Sequence, residues 1–209
     1  MKITCLGDSI RIQYVPVVKE LLGENFEIFA PEGNCRFAKY TLRGIFDWKK
    51  DMHGSRIVHW NNGLWDICNL FGDGLFTSEE EYVENMLRIA KILKAEHEVV
   101  IFATTTPVSE KNVYNKNSDI RRYNEILVPK LQEMGIIIND LYSAVAENID
   151  EYISEDNIHM SESGIALCAR LVAEAIQREA AKLPKKEIEL SPELGVDDIS
   201  GAPVIFENN

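Results

Sequence analysis

Apolar positions in this chain recur in two alternating rhythms, short continuous runs followed by stripes at three- and four-residue spacing. Short unbroken runs mark strands covered on both faces, whereas i, i+3, i+4 spacing marks a helix that buries one side. Lys2–Leu6 follows the first pattern and predicts an opening strand. Tyr14–Leu22, with Val15, Val18, Leu21 and Leu22 apolar, predicts a helix ended at Gly23. Further strands are expected at Phe26–Phe29, Arg56–Trp60, Glu98–Ala103 and Gly135–Ile138. Helices are expected at Tyr40–Lys49, Ser78–Lys94, Ser118–Met134 and from Glu162 to about Lys182, with Pro31–Cys35 as a loop. Ser78 and the glutamates behind it supply an N-terminal cap, and Pro129 interrupts its helix near the end.

Strands that alternate with helices imply parallel pairing through right-handed crossovers. The expected fold class is therefore α/β, a doubly wound, five-stranded and mostly parallel sheet covered on both faces, with ligands beyond the carboxyl ends of its strands. The chain has 209 residues, 45% of them hydrophobic, enough for one core, assigned to residues 1–183. Beyond it the periodicity stops and three of the seven prolines gather, so 184–209 reads as an extended acidic tail.

The net charge of −12 argues against nucleic acid as partner and favours an uncharged or weakly charged small molecule. No apolar run reaches the ~18 residues of a membrane span, which predicts no membrane association. Cys5, Cys35, Cys68 and Cys168 lack metal-ligand spacing, and the chain starts on a strand rather than a basic and apolar leader. Reduced thiols in a cytoplasmic protein are expected. His59 sits inside a strand as a core histidine, while His53 and His97 fall in surface connections; no metal and no cofactor are assigned. The opening strand is not followed by a phosphate-cradling Gly-rich loop, which ranks a nucleotide-binding reading last.

Candidate chemistry begins where the first strand ends, at Gly7-Asp8-Ser9. Asp and Ser are ordinary turn and cap residues, but Ser9 at the carboxyl edge of a parallel sheet, beside a helix start, is also well placed as a nucleophile. A serine hydroxyl attacks only when a base takes its proton. Asp156-Asn157-Ile158-His159, before the last helix, supplies His159 as that base and Asp156 as its orienting partner. Trp60, Trp65 and the Phe71–Phe76 segment either wall an acyl or sugar pocket or belong to the core. Tyr114, Arg121 and Arg122 are left outside the site.

Through Gly7-Asp8-Ser9-Ile10 and Asp156-Asn157-Ile158-His159, across roughly residues 2–182, the sequence resembles the SGNH hydrolases, also known as GDSL-type esterases and lipases. The resemblance implies a flavodoxin-like three-layer α/β/α fold and a Ser9–His159–Asp156 triad. It also implies an oxyanion hole made by the serine N–H, a second-block N–H and a third-block asparagine. Pro31-Glu32-Gly33-Asn34-Cys35-Arg36-Phe37 is similar to the second block, with Cys35 or Arg36 in place of the glycine that usually follows the asparagine, and Cys35 is taken as the N–H donor. Trp60-Asn61-Asn62-Gly63-Leu64-Trp65-Asp66 is similar to a third-block variant, with Asn61 first and Asn62 second as donor. The implied activity is hydrolysis of a small acyl ester, acetyl above others, with an acylated sugar as preferred substrate. The alternatives are a thioesterase or lysophospholipase using the same triad, and a catalytically weak ligand-binding module.

Overall fold

The computed structural model describes residues 1–184. Five strands, β1 (Lys2–Leu6), β2 (Glu27–Phe29), β3 (Ile57–Trp60), β4 (Val99–Ala103) and β5 (Ile137–Asn139), form one sheet in the order β2-β1-β3-β4-β5. All four pairings are parallel, with Thr4 opposite both Phe29 and Val58. Ile3, Cys5, Leu6, Ile57, Val58, Trp60, Ile101 and Phe102 are fully buried, as expected of strands enclosed on both sides.

Eight helices connect or flank the strands among the described residues: α1 (Ser9–Leu22), α2 (Ala38–Asp47), α3 (Lys49–Met52), α4 (Glu79–Glu96), α5 (Asn117–Glu133), α6 (Leu141–Ala146), α7 (Ile149–Tyr152) and α8 (Glu162–Ala180). α1 packs on α8, which also meets α6 and α7 and crosses β3 and β5; α2, α4 and α5 pack side by side as the second layer. The three-layer α/β/α architecture is thus as expected. Order reverses between β1 and β3, so the chain leaves the sheet there in two directions and opens a crevice beyond their carboxyl ends. Ser9 follows β1 and Asn61 follows β3, so both lie at that crevice.

Several expectations are corrected in detail. α1 starts at Ser9, five residues earlier than its apolar stripe, because the Asp8 side chain caps it by accepting from the Ile10 N–H at 3.0 Å. The stripe is hidden by Arg11, which is buried yet charged. α6 and α7 were not expected; each is too short for a helical period to show. His97 is buried rather than on a surface connection, donating from Nδ1 to the Ser55 carbonyl at 2.8 Å. The tail proposed for 184–209 lies outside the described residues except for Pro184. No helix among the described residues is long and apolar enough to cross a membrane.

Beyond β3, Gly63 has φ +154°, and a Cβ there would fall 2.0 Å from Thr105 Oγ1. That hydroxyl donates to the Asn62 carbonyl at 2.9 Å, so the close approach fixes the turn after β3 against the end of β4. Gly63→Ala combines an unfavourable φ with a clash and is expected to cost about 1–3 kcal/mol. Chemical denaturation measures it; wild-type stability would show that the turn relaxes freely.

Candidate active site

The residues flagged at opposite ends of the sequence converge. Ser9, first residue of α1, lies with its Oγ 2.8 Å from His159 Nε2, and His159 Nδ1 lies 2.6 Å from Asp156 Oδ2. Asp156 Oδ1 accepts from the Ser154 hydroxyl at 2.8 Å and from the N–H groups of Ile158 and His159 at 3.0 and 2.8 Å. Its partial burial pushes the carboxyl upward, but these donors and the His159 ring outweigh that and hold it far below the usual carboxylate range. An ionised Asp156 keeps the His159 proton on Nδ1 and leaves Nε2 facing Ser9 as an acceptor. Between Asp156 and His159, Asn157 adopts φ +70°. Its carbonyl accepts from the Ser109 N–H at 3.1 Å and from Asn112 Nδ2 at 3.3 Å, which ties this loop to the segment after β4.

Gln13, one helical turn after Ser9, fixes the loop from the other side. Its Oε1 accepts from the Met160 N–H at 3.0 Å and its Nε2 donates to the Met160 carbonyl at 3.2 Å. The backbone next to His159 is therefore clamped to the helix that bears Ser9. Sequence reading passed over Gln13; its i, i+4 relation to Ser9 was the available signal.

Asn61 is held from both ends of its amide. Its Nδ2 donates to Asp8 Oδ1 at 2.9 Å, and its Oδ1 accepts from the Tyr14 hydroxyl at 3.3 Å. Behind Tyr14 stands His59, whose Nδ1 is 3.4 Å from the Tyr14 hydroxyl and whose Nε2 accepts from Asn139 Nδ2 at 3.2 Å. An acceptor at Nε2 places the proton of a neutral His59 on Nδ1, and burial keeps the ring neutral by lowering its pKa to about 3. The expectation of a hydrogen-bonded core histidine holds for His59. Asn61 Nδ2 carries a second hydrogen that the Asp8 bond leaves over. A Cβ on Gly7, at φ +154°, would lie 2.0 Å from Asn61 Oδ1, so glycine is required for this approach.

The other two expected oxyanion donors are engaged elsewhere. The Cys35 N–H donates to the Gly7 carbonyl at 3.0 Å, and Cys35 has no exposed surface. Asn62 is likewise fully enclosed; its Oδ1 accepts from Trp60 Nε1 at 2.7 Å and its Nδ2 donates to the Arg36 carbonyl at 2.8 Å. Both assignments are corrected: a backbone carbonyl takes the Cys35 N–H, and Asn62, bonded to the Arg36 carbonyl, has no surface from which its remaining hydrogen could reach a ligand. Asn61 keeps 6% of its surface exposed.

The second-block loop is laced to Gly7 by Arg11, whose guanidinium donates to the carbonyls of Gly7, Pro31 and Gly33 at 3.2, 2.8 and 2.7 Å. Asp66, buried, joins the start of α2 to the stretch before α4, accepting from the Ala38 N–H and the Thr77 hydroxyl, each at 2.9 Å. Burial raises its pKa from 3.8 to about 7, against those two bonds and with added repulsion from Asp8 and Glu81. Of the aromatic candidates, Trp60 is core and packs on Phe102 with ring centroids 5.0 Å apart. Trp65, Phe71 and Phe76 are 41%, 82% and 50% exposed and stand around the third-block loop. Tyr114, set aside from the sequence, accepts through its carbonyl from the Asn69 N–H at 2.8 Å and so borders that loop.

No protein-family model matches the sequence, and no curated protein matches it either. Solved structures do. A lipase/acylhydrolase from Enterococcus faecalis superposes with a TM-score of 0.71 at 17% identity, covering 89% of this chain and 98% of its own. A member of the lipolytic G-D-S-L family from Veillonella parvula gives 0.69 at 20% identity, covering 85% and 99%. An acetylxylan esterase from Geobacillus stearothermophilus gives 0.68 at 16% identity, covering 84% and 93%. The chain therefore has the SGNH/GDSL hydrolase fold.

With a folded-state pKa near 7 against an ordinary 3.8, Asp66 binds a proton in the native protein that the unfolded chain releases. Its contribution to stability is present in full below 3.8 and is lost as the pH rises to about 7. Asp66→Asn removes that titration, so its unfolding free energy should decline less than the wild type's across this window. Urea denaturation across the window checks it, and parallel curves would contradict the assignment.

Proposed function

We propose that this protein is a serine esterase that removes a small acyl group, acetyl above others, from a carbohydrate or similar alcohol. The reading rests on the unbroken relay from Ser9 Oγ through His159 to Asp156, at 2.8 and 2.6 Å. His159 Nε2 takes the Ser9 proton as Oγ attacks the ester carbonyl carbon, and Asp156 supports the imidazolium that forms. The carbonyl oxygen becomes an oxyanion, met by the Ser9 N–H at the start of α1 and by the remaining Asn61 Nδ2 hydrogen. Collapse expels the alcohol, protonated by His159, and leaves Ser9 acylated. Water, deprotonated by His159, attacks the acyl carbon, releases the acid and restores Ser9. Neither cofactor nor metal enters this scheme. The acetylxylan esterase among the structures of the same fold supports a sugar ester as substrate, and the same relay serves a thioesterase or lysophospholipase.

The test is turnover of 4-nitrophenyl esters from acetyl to octanoyl. Wild type is expected to be fastest on acetyl, with Ser9→Ala at background and Asn61→Ala slower in kcat by about 10²–10³-fold. Rates that rise with chain length would favour the thioesterase or lysophospholipase reading. Wild-type rates no higher than those of Ser9→Ala would leave a ligand-binding module.

A further inference from the structure

Arg36 stands in the second-block loop with φ +52°, one of two non-glycine residues in the left-handed region among those described. The conformation has a local purpose: the Arg36 N–H donates to Asn34 Oδ1 at 2.6 Å, and its carbonyl accepts from Asn62 Nδ2. Glycine would adopt it without strain, whereas a side chain with a Cβ disfavours it. An arginine side chain thus stands where its own backbone disfavours it.

Its guanidinium is exposed and stands 5.1 Å from the ring centroid of Tyr40 and 6.0 Å from that of Trp65. The rings orient it, yet its N–H groups have no hydrogen-bond or ion-pair partner among the described residues. Elsewhere on this surface Arg43, Arg122 and Arg170 each pair with a carboxylate, while Arg88 and Arg121, also without a partner among the described residues, stand over no aromatic ring. Arg36 also belongs to the loop that Cys35 and Arg11 bind to Gly7, two residues before Ser9. An oriented, unpaired guanidinium over two aromatic rings, on a loop hydrogen-bonded to the Gly7 carbonyl two residues before Ser9, is a receptor for two coplanar oxygens.

We infer that Arg36 is a specificity-determining residue that binds a carboxylate on the alcohol half of the substrate, so that the preferred esters are those of acidic carbohydrates or similar ring-bearing hydroxy acids. The inference rests on the esterase reading. A small acyl group has no room for an anion, which places the carboxylate on the alcohol. The exposed faces of Trp65 and Tyr40 suit a ring beside it. A net charge of −12 repels a dianion more than a monoanion, which favours carboxylate over phosphate.

The experiment compares kcat/KM for 4-acetoxybenzoate and its neutral methyl ester, which share acyl group and ring, in wild type, Arg36→Gln, Arg36→Lys and Arg36→Gly. The ratio of anionic to neutral ester is expected to fall at least 10-fold in Arg36→Gln and Arg36→Gly and less in Arg36→Lys. Added salt is expected to lower the wild-type ratio. Arg36→Gly relieves rather than adds backbone strain, so it carries the comparison should Arg36→Gln fold poorly. Ser9-dependent hydrolysis of both esters with a ratio within twofold of wild type in these variants would overturn the role of Arg36 alone. Hydrolysis of neither ester above the Ser9→Ala background would overturn the esterase reading and this inference together.

Discussion

The site depends on a buried chain of hydrogen bonds that fixes one amide. Asn139 on β5 donates to His59 on β3, which faces the Tyr14 hydroxyl; Tyr14 on α1 donates to Asn61, and Asn61 donates to Asp8. Each member has one role left once its neighbour is satisfied, so the Asn61 amide cannot flip without leaving a buried acceptor or donor unpaired. Asp8 ends the chain under strain. Burial raises its pKa, the Asn61, Ile10 and Arg11 groups oppose that, and its Oδ2 is buried without a hydrogen-bond partner. The same carboxylate caps α1 and so places Ser9 at the helix start.

Much of the fold was legible because parallel strands enclosed on both sides are written as unbroken apolar runs. All five strands fall where such runs lie, with ends differing by one or two residues. Legibility failed where polar groups do structural work inside. Arg11, buried against three carbonyls, masks the first turn of α1. Helices of four to six residues, such as α6 and α7, carry too little period to register. His97 reads as a surface residue because its partner, the Ser55 carbonyl, is 42 residues away.

The candidate site divides along the same line. Ser9, Asp156 and His159 could be picked out because their side-chain types, placed near element ends, are what the expected chemistry calls for, and the fold brings them within hydrogen-bond reach. Cys35 and Asn62 were misassigned because a backbone N–H or an amide has the same identity whether it faces a ligand or a neighbouring carbonyl. Only the fold reveals the bonds to Gly7 and Arg36. Gln13 was missed for a related reason: its clamp on Met160 spans 147 residues and uses main-chain groups of the partner.

These restraints converge on one hydroxyl. Gln13 holds the His159 loop to α1, Asp8 sets the start of α1, and Arg11 holds the second-block loop beside both. The measurement that tests the account most directly is intact-mass and peptide mass spectrometry after treatment with a fluorophosphonate. This reagent phosphonylates a serine whose proton is removed by a base and releases fluoride. One adduct per chain, located on Ser9 and strongly slowed in His159→Ala, is predicted. Absence of labelling, or an adduct elsewhere that persists in Ser9→Ala, would contradict the claim that Ser9 is the activated nucleophile.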